Sequence, residues 1–186
     1  MKVAVLGVGR MGQAICYAAN KLGFDVVGVD SYSGAAENFR KYIDGPSGVF
    51  YLLDEEKTLE RALTFEKPDV VISSLPYHQT EKAARWCIDN GIRYCDLGGR
   101  VDVSHRINDY AAEKATKPVF TDLGLAPGWV NIIAEHGCTQ VHTNIDSVKM
   151  MVGGLPANKV NRPLDYAITW SVDGLINEYK DDCEIL

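Results

Sequence analysis

Six residues near the start of the chain, Gly7-Val8-Gly9-Arg10-Met11-Gly12, most restrict what it can fold into. They follow a short apolar run, Lys2 to Leu6. They open a stretch, Arg10 to Leu22, in which Met11, Ala14, Ile15, Ala18, Ala19 and Leu22 share one face at helical spacing. Gly23 stands where a helix-ending glycine belongs, and the valine-rich run Asp25 to Asp30 comes next. Strand, glycine loop, helix and strand make a βαβ unit with parallel strands. In that setting Gly7 permits the tight turn, Gly9 lets backbone approach a pyrophosphate, and Gly12 lets the helix pack close to the strand. The helix start adds N–H groups and a positive dipole for phosphate charge, with Arg10 and Met11 in the same loop.

The alternation continues along the chain. Helices are expected around Ala35 to Tyr42, Glu55 to Phe65, Gln79 to Asn90 (ending at Gly91), and from an N-cap at Ser104 to about Ala115. Between them lie strands near Val49 to Leu53, Asp69 to Ser73, Ile92 to Leu97 and Pro118 to Thr121. Six strands separated by helices predict an α/β fold, a doubly wound parallel Rossmann sheet. After Asp122 the pattern changes. A Gly/Pro turn leads into a helix ending near Gly137. Asp146 to Val152 alternates like a half-exposed antiparallel strand, and a helix begins near Trp170 or Ser171 and runs through Leu175 to Tyr179. Cys183 to Leu186 looks like the opening of another strand. The expected division is 1–122 for the nucleotide domain and 123–186 for the start of a second, mixed-sheet α/β domain. Sixty-odd residues form a poor core alone, so that second domain reads as partial.

Strand carboxyl ends line the ligand crevice of such a sheet. Asp30 therefore meets the adenosine ribose, where a carboxylate accepts both hydroxyls and repels a 2′-phosphate. Ser31 follows it, with no arginine, so NAD is favoured and NADP remains possible. Asp54 reads equally as an adenine neighbour or a surface turn acid. Ser74, Leu75 and Pro76 pass near the nicotinamide ribose, and Tyr77 and His78 reach towards the reacting centre. His78 reads equally as a solvent-facing residue at a helix start. Gly124, Pro127, Gly128 and Trp129 form a turn suited to a substrate carboxylate, and Asp122 suits a substrate ammonium. Asp96 and Arg100, flanking Gly98-Gly99, are weaker candidates of the same kind.

The net charge of -6 argues against nucleic acid as a partner. Neither a signal peptide nor an apolar run long enough to span a membrane is present, so the expected location is cytoplasmic with no membrane association. Of the five cysteines, Cys16 and Cys87 sit on apolar helix faces. No C-x-x-C pair or histidine spacing suggests a metal.

The segments Asp122-Leu-Gly-Leu-Ala-Pro-Gly-Trp-Val-Asn131, Gly153-Gly-Leu-Pro156, Pro163-Leu-Asp-Tyr-Ala-Ile-Thr-Trp-Ser171 and Gly174-Leu-Ile-Asn-Glu-Tyr179 together resemble the saccharopine dehydrogenase-like family, most of all its lysine 6-dehydrogenase branch. The resemblance implies an NAD(P)-linked oxidoreductase acting on a C–N bond of an amino acid. It also implies a second domain that closes over substrate and forms a homodimer. Asp122 is then the first choice for orienting or deprotonating the amine, assisted by His78 or Tyr77. Family members are longer, which raises the alternatives of a dinucleotide-binding module inactive alone or a subunit completed by another chain. A methyltransferase is a further reading, disfavoured by the glycine spacing and the Ala-Pro-Gly and Trp-Ser segments.

Overall fold

The computed structural model describes residues 1–43, 48–54, 58–141, 144–154, 156–158, 161, 167–168 and 171–180. Two compact units are present, Met1–Gly128 and Trp129–Leu186.

The first unit is a six-stranded, wholly parallel sheet in the order β3-β2-β1-β4-β5-β6. Its strands are β1 (Lys2–Leu6), β2 (Asp25–Asp30), β3 (Gly48–Leu52), β4 (Val70–Ser73), β5 (Arg93–Asp96) and β6 (Val119–Phe120). The helices between them are α1 (Arg10–Lys21), α2 (Gly34–Tyr42), α3 (Leu59–Glu66), α4 (Tyr77–Asp89) and α5 (Val101–Lys114). The chain order reverses between β1 and β4, so the crevice for a ligand opens there. Alternation along β1 splits the core. Val3 and Val5 pack with Cys16, Ala19 and Phe39 on the α1–α2 face, whereas Ala4 and Leu6 pack with Leu63, Ala84 and Ile107 on the α3–α4–α5 face. Both faces are covered, which explains why β1 and β2 read as near-continuous apolar runs.

Gly23 and Gly91 end α1 and α4 with positive φ (79° and 63°), a conformation that costs glycine nothing. The N–H of Phe24 returns to the Ala19 carbonyl, and that of Ile92 to the Cys87 carbonyl, closing both helices. Two expected helix starts differ: the helix expected from Glu55 begins at Leu59 after its N-cap Thr58, with residues 55–57 outside the described residues, and the start of α5 lies earlier than expected. Ser104 does not cap α5, which starts at Val101 after Arg100. Ser104 is instead buried in the early part of the helix, because its hydroxyl has a better partner inside (see below).

The second unit contains α6 (Trp129–His136), which runs into a π-helical turn, Gly137–Val141, and α7 (Val172–Lys180). Ser171 caps α7, its Oγ accepting the Gly174 N–H at 3.1 Å. Asp146 to Val152 is not a strand. Alternation makes a strand only beside a partner, and no described residue pairs with it. Leu155, the segment 162–166, Thr169-Trp170 and Cys183 to Leu186 lie outside the described residues. No described helix is long and apolar enough to cross a membrane.

At the edge of the sheet opposite the crevice, Glu66 accepts from Lys2 Nζ at 2.9 Å and from the Tyr51 hydroxyl at 2.6 Å. Burial alone would raise the Glu66 carboxyl, but the Tyr51 hydroxyl and the Lys2 ammonium hold it below its ordinary value. A depressed acid stabilises the fold above its unfolded pKa, and that stability is lost as pH falls through the folded pKa. Tyr51 moves the other way. Burial and Glu66 push it up to about 12, so its contribution is lost as the pH rises from about 10 to about 12. Glu66→Gln should cost about 1–3 kcal/mol at neutral pH. It should also flatten the fall of urea midpoints between about pH 5 and pH 3. An unchanged acid slope would refute this account.

Candidate functional site

The glycine loop sits where β1 meets α1. Gly7 has φ 79°, and its N–H donates to the Val29 carbonyl at 2.9 Å. A Cβ at Gly7 would stand 2.9 Å from the Ser74 carbonyl oxygen, so the loops after β1 and β4 touch across the reversal point. A Cβ at Gly12 would overlap the Gly7 carbonyl. At Gly9 a Cβ would meet nothing within 4 Å. Gly9 is the N-cap of α1 and provides no side-chain cap. The first amides of a helix lack intrahelical acceptors, so the α1 start keeps donors for an anion. An open cradle over an uncapped helix start fits a pyrophosphate. Arg10 and Met11 are exposed in its first turn.

Asp30 ends β2. The Val8 N–H donates to its Oδ2 at 2.6 Å and the Tyr32 N–H to its Oδ1 at 2.8 Å. The carboxylate is therefore anchored by backbone beside the glycine loop. Ser31 and Asp54 are exposed, Asp54 just past β3, whose exit is tied to β2 by the Leu53 N–H on the Asp30 carbonyl. Ser74 is held by its N–H on the Leu6 carbonyl at 2.7 Å. Leu75 packs against the core, and Pro76 caps α4, its carbonyl accepting from the Gln79 N–H and the Thr80 hydroxyl. Tyr77 and His78 open α4 with their rings edge to face at 5.7 Å, and His78 is exposed.

The loops after β5 and β6 form a hydrogen-bonded hub. Asp96, 2% exposed, accepts from the Gly98 N–H at 2.8 Å and the Asp122 N–H at 3.1 Å, both on Oδ1. Its Oδ2 is buried without a hydrogen-bond partner. Burial pushes the Asp96 carboxyl up, as does the charge of Asp122, against the pull of those two N–H groups and of the Tyr94 hydroxyl. Asp122 has φ 61°, and its Oδ1 accepts from the Ser104 hydroxyl at 2.8 Å. A Cβ at Gly98 would overlap the Asp122 carboxylate, so glycine is required there. The following turn is closed by a bridge between Gly124 and Gly128. A Cβ at Gly124 would lie 2.7 Å from the Leu97 carbonyl, and one at Gly128 2.7 Å from that of Asp122. Pro127 is exposed beside them. Trp129, 55% exposed, begins α6 in the second unit.

The structure thus brings Asp122 together with Asp96, Gly98 and Ser104. Sequence reading missed Ser104 because its position near a helix start mimics a cap. Asp96 ends β5 and Asp122 lies just past β6, and that shared position at strand carboxyl ends was the available signal. Burial pushes the Cys16 and Cys87 thiols up to about 12, so both remain neutral. Among the described residues no cluster could hold a metal ion.

Residues 3–120 match the saccharopine dehydrogenase NADP binding domain, and residues 124–186 match the saccharopine dehydrogenase C-terminal domain. The mitochondrial alpha-aminoadipic semialdehyde synthase of Rattus norvegicus is 26% identical over 181 residues, covering 94% of this chain. The Mus musculus protein is 25% identical over the same length. The chain spans 19% of the length of each. Among solved structures, saccharopine dehydrogenase (L-Glu forming) from Saccharomyces cerevisiae superposes with a TM-score of 0.58 at 21% identity, over 72% of this chain and 29% of that one. A WlbA dehydrogenase from Thermus thermophilus, in complex with NAD and alpha-ketoglutarate, gives 0.53 at 16% identity, over 74% of this chain and 46% of that one. These superpositions bear on the fold alone. The two domain matches cover nearly the whole sequence, and the chain belongs to the saccharopine dehydrogenase family.

Proposed function

We propose that the chain is the cofactor-binding part of an NAD-dependent oxidoreductase acting on the C–N bond of an amino acid, of the lysine or saccharopine dehydrogenase kind. Residues 1–122 hold the dinucleotide and residues 123–186 belong to the substrate and dimerisation region. The observation that carries the reading is Asp122, its carboxylate fixed by Ser104 and its backbone by Asp96, on the same sheet edge as the glycine loop.

The α1 start with Gly7, Gly9 and Gly12 holds the pyrophosphate, Asp30 the adenosine ribose, and Ser74 to Pro76 the nicotinamide side. When bound, the dinucleotide supplies the hydride acceptor. Asp122 takes a proton from the substrate ammonium, because only a neutral amine has the lone pair that forms C=N as hydride leaves carbon. The product is an iminium, which water converts to a carbonyl compound and ammonium or a primary amine. The Ser104 hydroxyl keeps Asp122 aimed while it receives the proton. Tyr77, at the α4 start, adjoins Asp96, Gly98 and Ser104.

Fluorescence titration with NADH and NADPH, followed by turnover on L-lysine, saccharopine and related amines, tests the proposal. NADH should bind at least about tenfold tighter than NADPH, a difference of roughly 1.4 kcal/mol. Asp30→Ala should erase most of that ratio. Its loss of the Val8 and Tyr32 contacts weakens both cofactors alike, whereas removing the charge favours only the phosphorylated one. Equal wild-type affinities would sink the NAD preference. Tight binding without turnover on any amine would sink the dehydrogenase reading.

A further inference from the structure

We propose that Arg100 anchors a carboxylate of the amino-acid substrate, an inference that rests on the amino-acid reading above. Arg100 precedes α5 at the carboxyl end of β5, on the half of the crevice assigned to nicotinamide and substrate. In the loops that follow β4, β5 and β6 (residues 74–76, 97–100 and 121–128) it is the one lysine or arginine in the sequence, and Asp122 is nearby in the same set. A zwitterionic amino acid needs both signs of charge.

The local backbone is shaped to present this side chain. Gly98 (φ 80°) and Gly99 (φ 144°) turn the chain, and a Cβ at Gly99 would press on Tyr77 Cβ at 3.2 Å. The Arg100 guanidinium consequently lies over the Tyr77 ring, 5.5 Å from its centroid. Asp102 takes Nε at 2.8 Å, which orients the planar group, and a guanidinium carries five donors in a fork matched to carboxylate. The α5 N-cap has no side-chain acceptor, so the amides of a fourteen-residue helix face the same place. Tyr77, Gly98, Arg100 and Ser104 adjoin one another here, over the buried Asp96. Cation and helix start for the carboxylate, with Asp122 for the reacting ammonium, supply the two signs of charge that a zwitterionic amino acid needs.

Isothermal titration of the NADH-saturated chain with two matched pairs tests this: L-lysine against cadaverine, and L-norleucine against pentylamine. Each amine is its amino acid without the carboxylate. The wild type should prefer the amino acid in each pair in which it binds. Arg100→Gln should weaken that amino acid about tenfold or more and leave the amine and NADH unchanged, with Arg100→Lys in between. Unchanged amino-acid affinity in Arg100→Gln, or an equal loss for acid and amine, would overturn the anchor while leaving the amino-acid reading intact. Failure of the wild type to bind L-lysine, L-norleucine or saccharopine would overturn both.

Discussion

Gly12→Ala is expected to destabilise the nucleotide-binding unit by about 3–5 kcal/mol, whereas Gly9→Ala, three residues earlier, should leave its stability within about 1 kcal/mol of wild type. The two glycines belong to one motif but do different things. A methyl at Gly12 would overlap the Gly7 carbonyl oxygen, and that atom is backbone in a loop already fixed by the Gly7 N–H on Val29. Relief requires moving α1 away from β1, which opens the packing of Val5, Cys16 and Ala19. At Gly9 the backbone has φ -73°, which alanine adopts freely, and a methyl there meets no atom of the chain. It would instead occupy the approach to the α1 start. NADH affinity in Gly9→Ala should therefore fall by about 100-fold or more, roughly 2.7 kcal/mol, with an unchanged thermal melt. A Gly9→Ala protein that keeps its NADH affinity would contradict the pyrophosphate assignment. A Gly12→Ala protein that melts with the wild type would contradict the packing argument.

What the sequence disclosed follows from how local each determinant is. β2 spans the expected Asp25–Asp30, and the helix-ending glycines 23 and 91 stand where expected, because period, valine content and positive-φ glycine act within a few residues. The start of α5 differs from the expected one for the opposite reason. Ser104 looks like a cap in sequence, but its partner is Asp122, eighteen residues on and reached only once β6 lies beside β5. The same holds for Asp96, whose two N–H donors come from a neighbouring turn and from a loop twenty-six residues away. Asp146 to Val152 shows the limit of alternation as a signal. A period of two marks the potential for a strand, and only a hydrogen-bonding neighbour makes one. The site was thus legible as a list of strand-end residues. Which of them touch was settled by sheet order.

Asp96 gives the second large effect. Asp96→Ala should cost about 2–4 kcal/mol, because it leaves the Gly98 and Asp122 N–H groups without their shared acceptor and opens a void under the β5–α5 turn. Amide exchange at Gly98 and Asp122 should accelerate more than at Val71 in the sheet centre, reporting local loosening of the loop that holds the proposed base. Asp96→Asn separates acceptor from charge. Its carbonyl oxygen can take both N–H bonds, and the amide replaces an Oδ2 that has no partner, so the cost at neutral pH should stay within about 1 kcal/mol. The pH dependence fixes the sign. Burial raises the Asp96 carboxyl in the folded protein, so the fold binds a proton more readily than the unfolded chain. Stability from that proton is present below the unfolded pKa and is lost as pH rises through the folded one. Asparagine carries no such penalty. Urea midpoints of Asp96→Asn should therefore gain on wild type as pH climbs from 4 towards 7. If asparagine proves as damaging as alanine at every pH, the carboxylate charge itself stabilises the turn, and the account in which Oδ1 acts only as an acceptor is overturned.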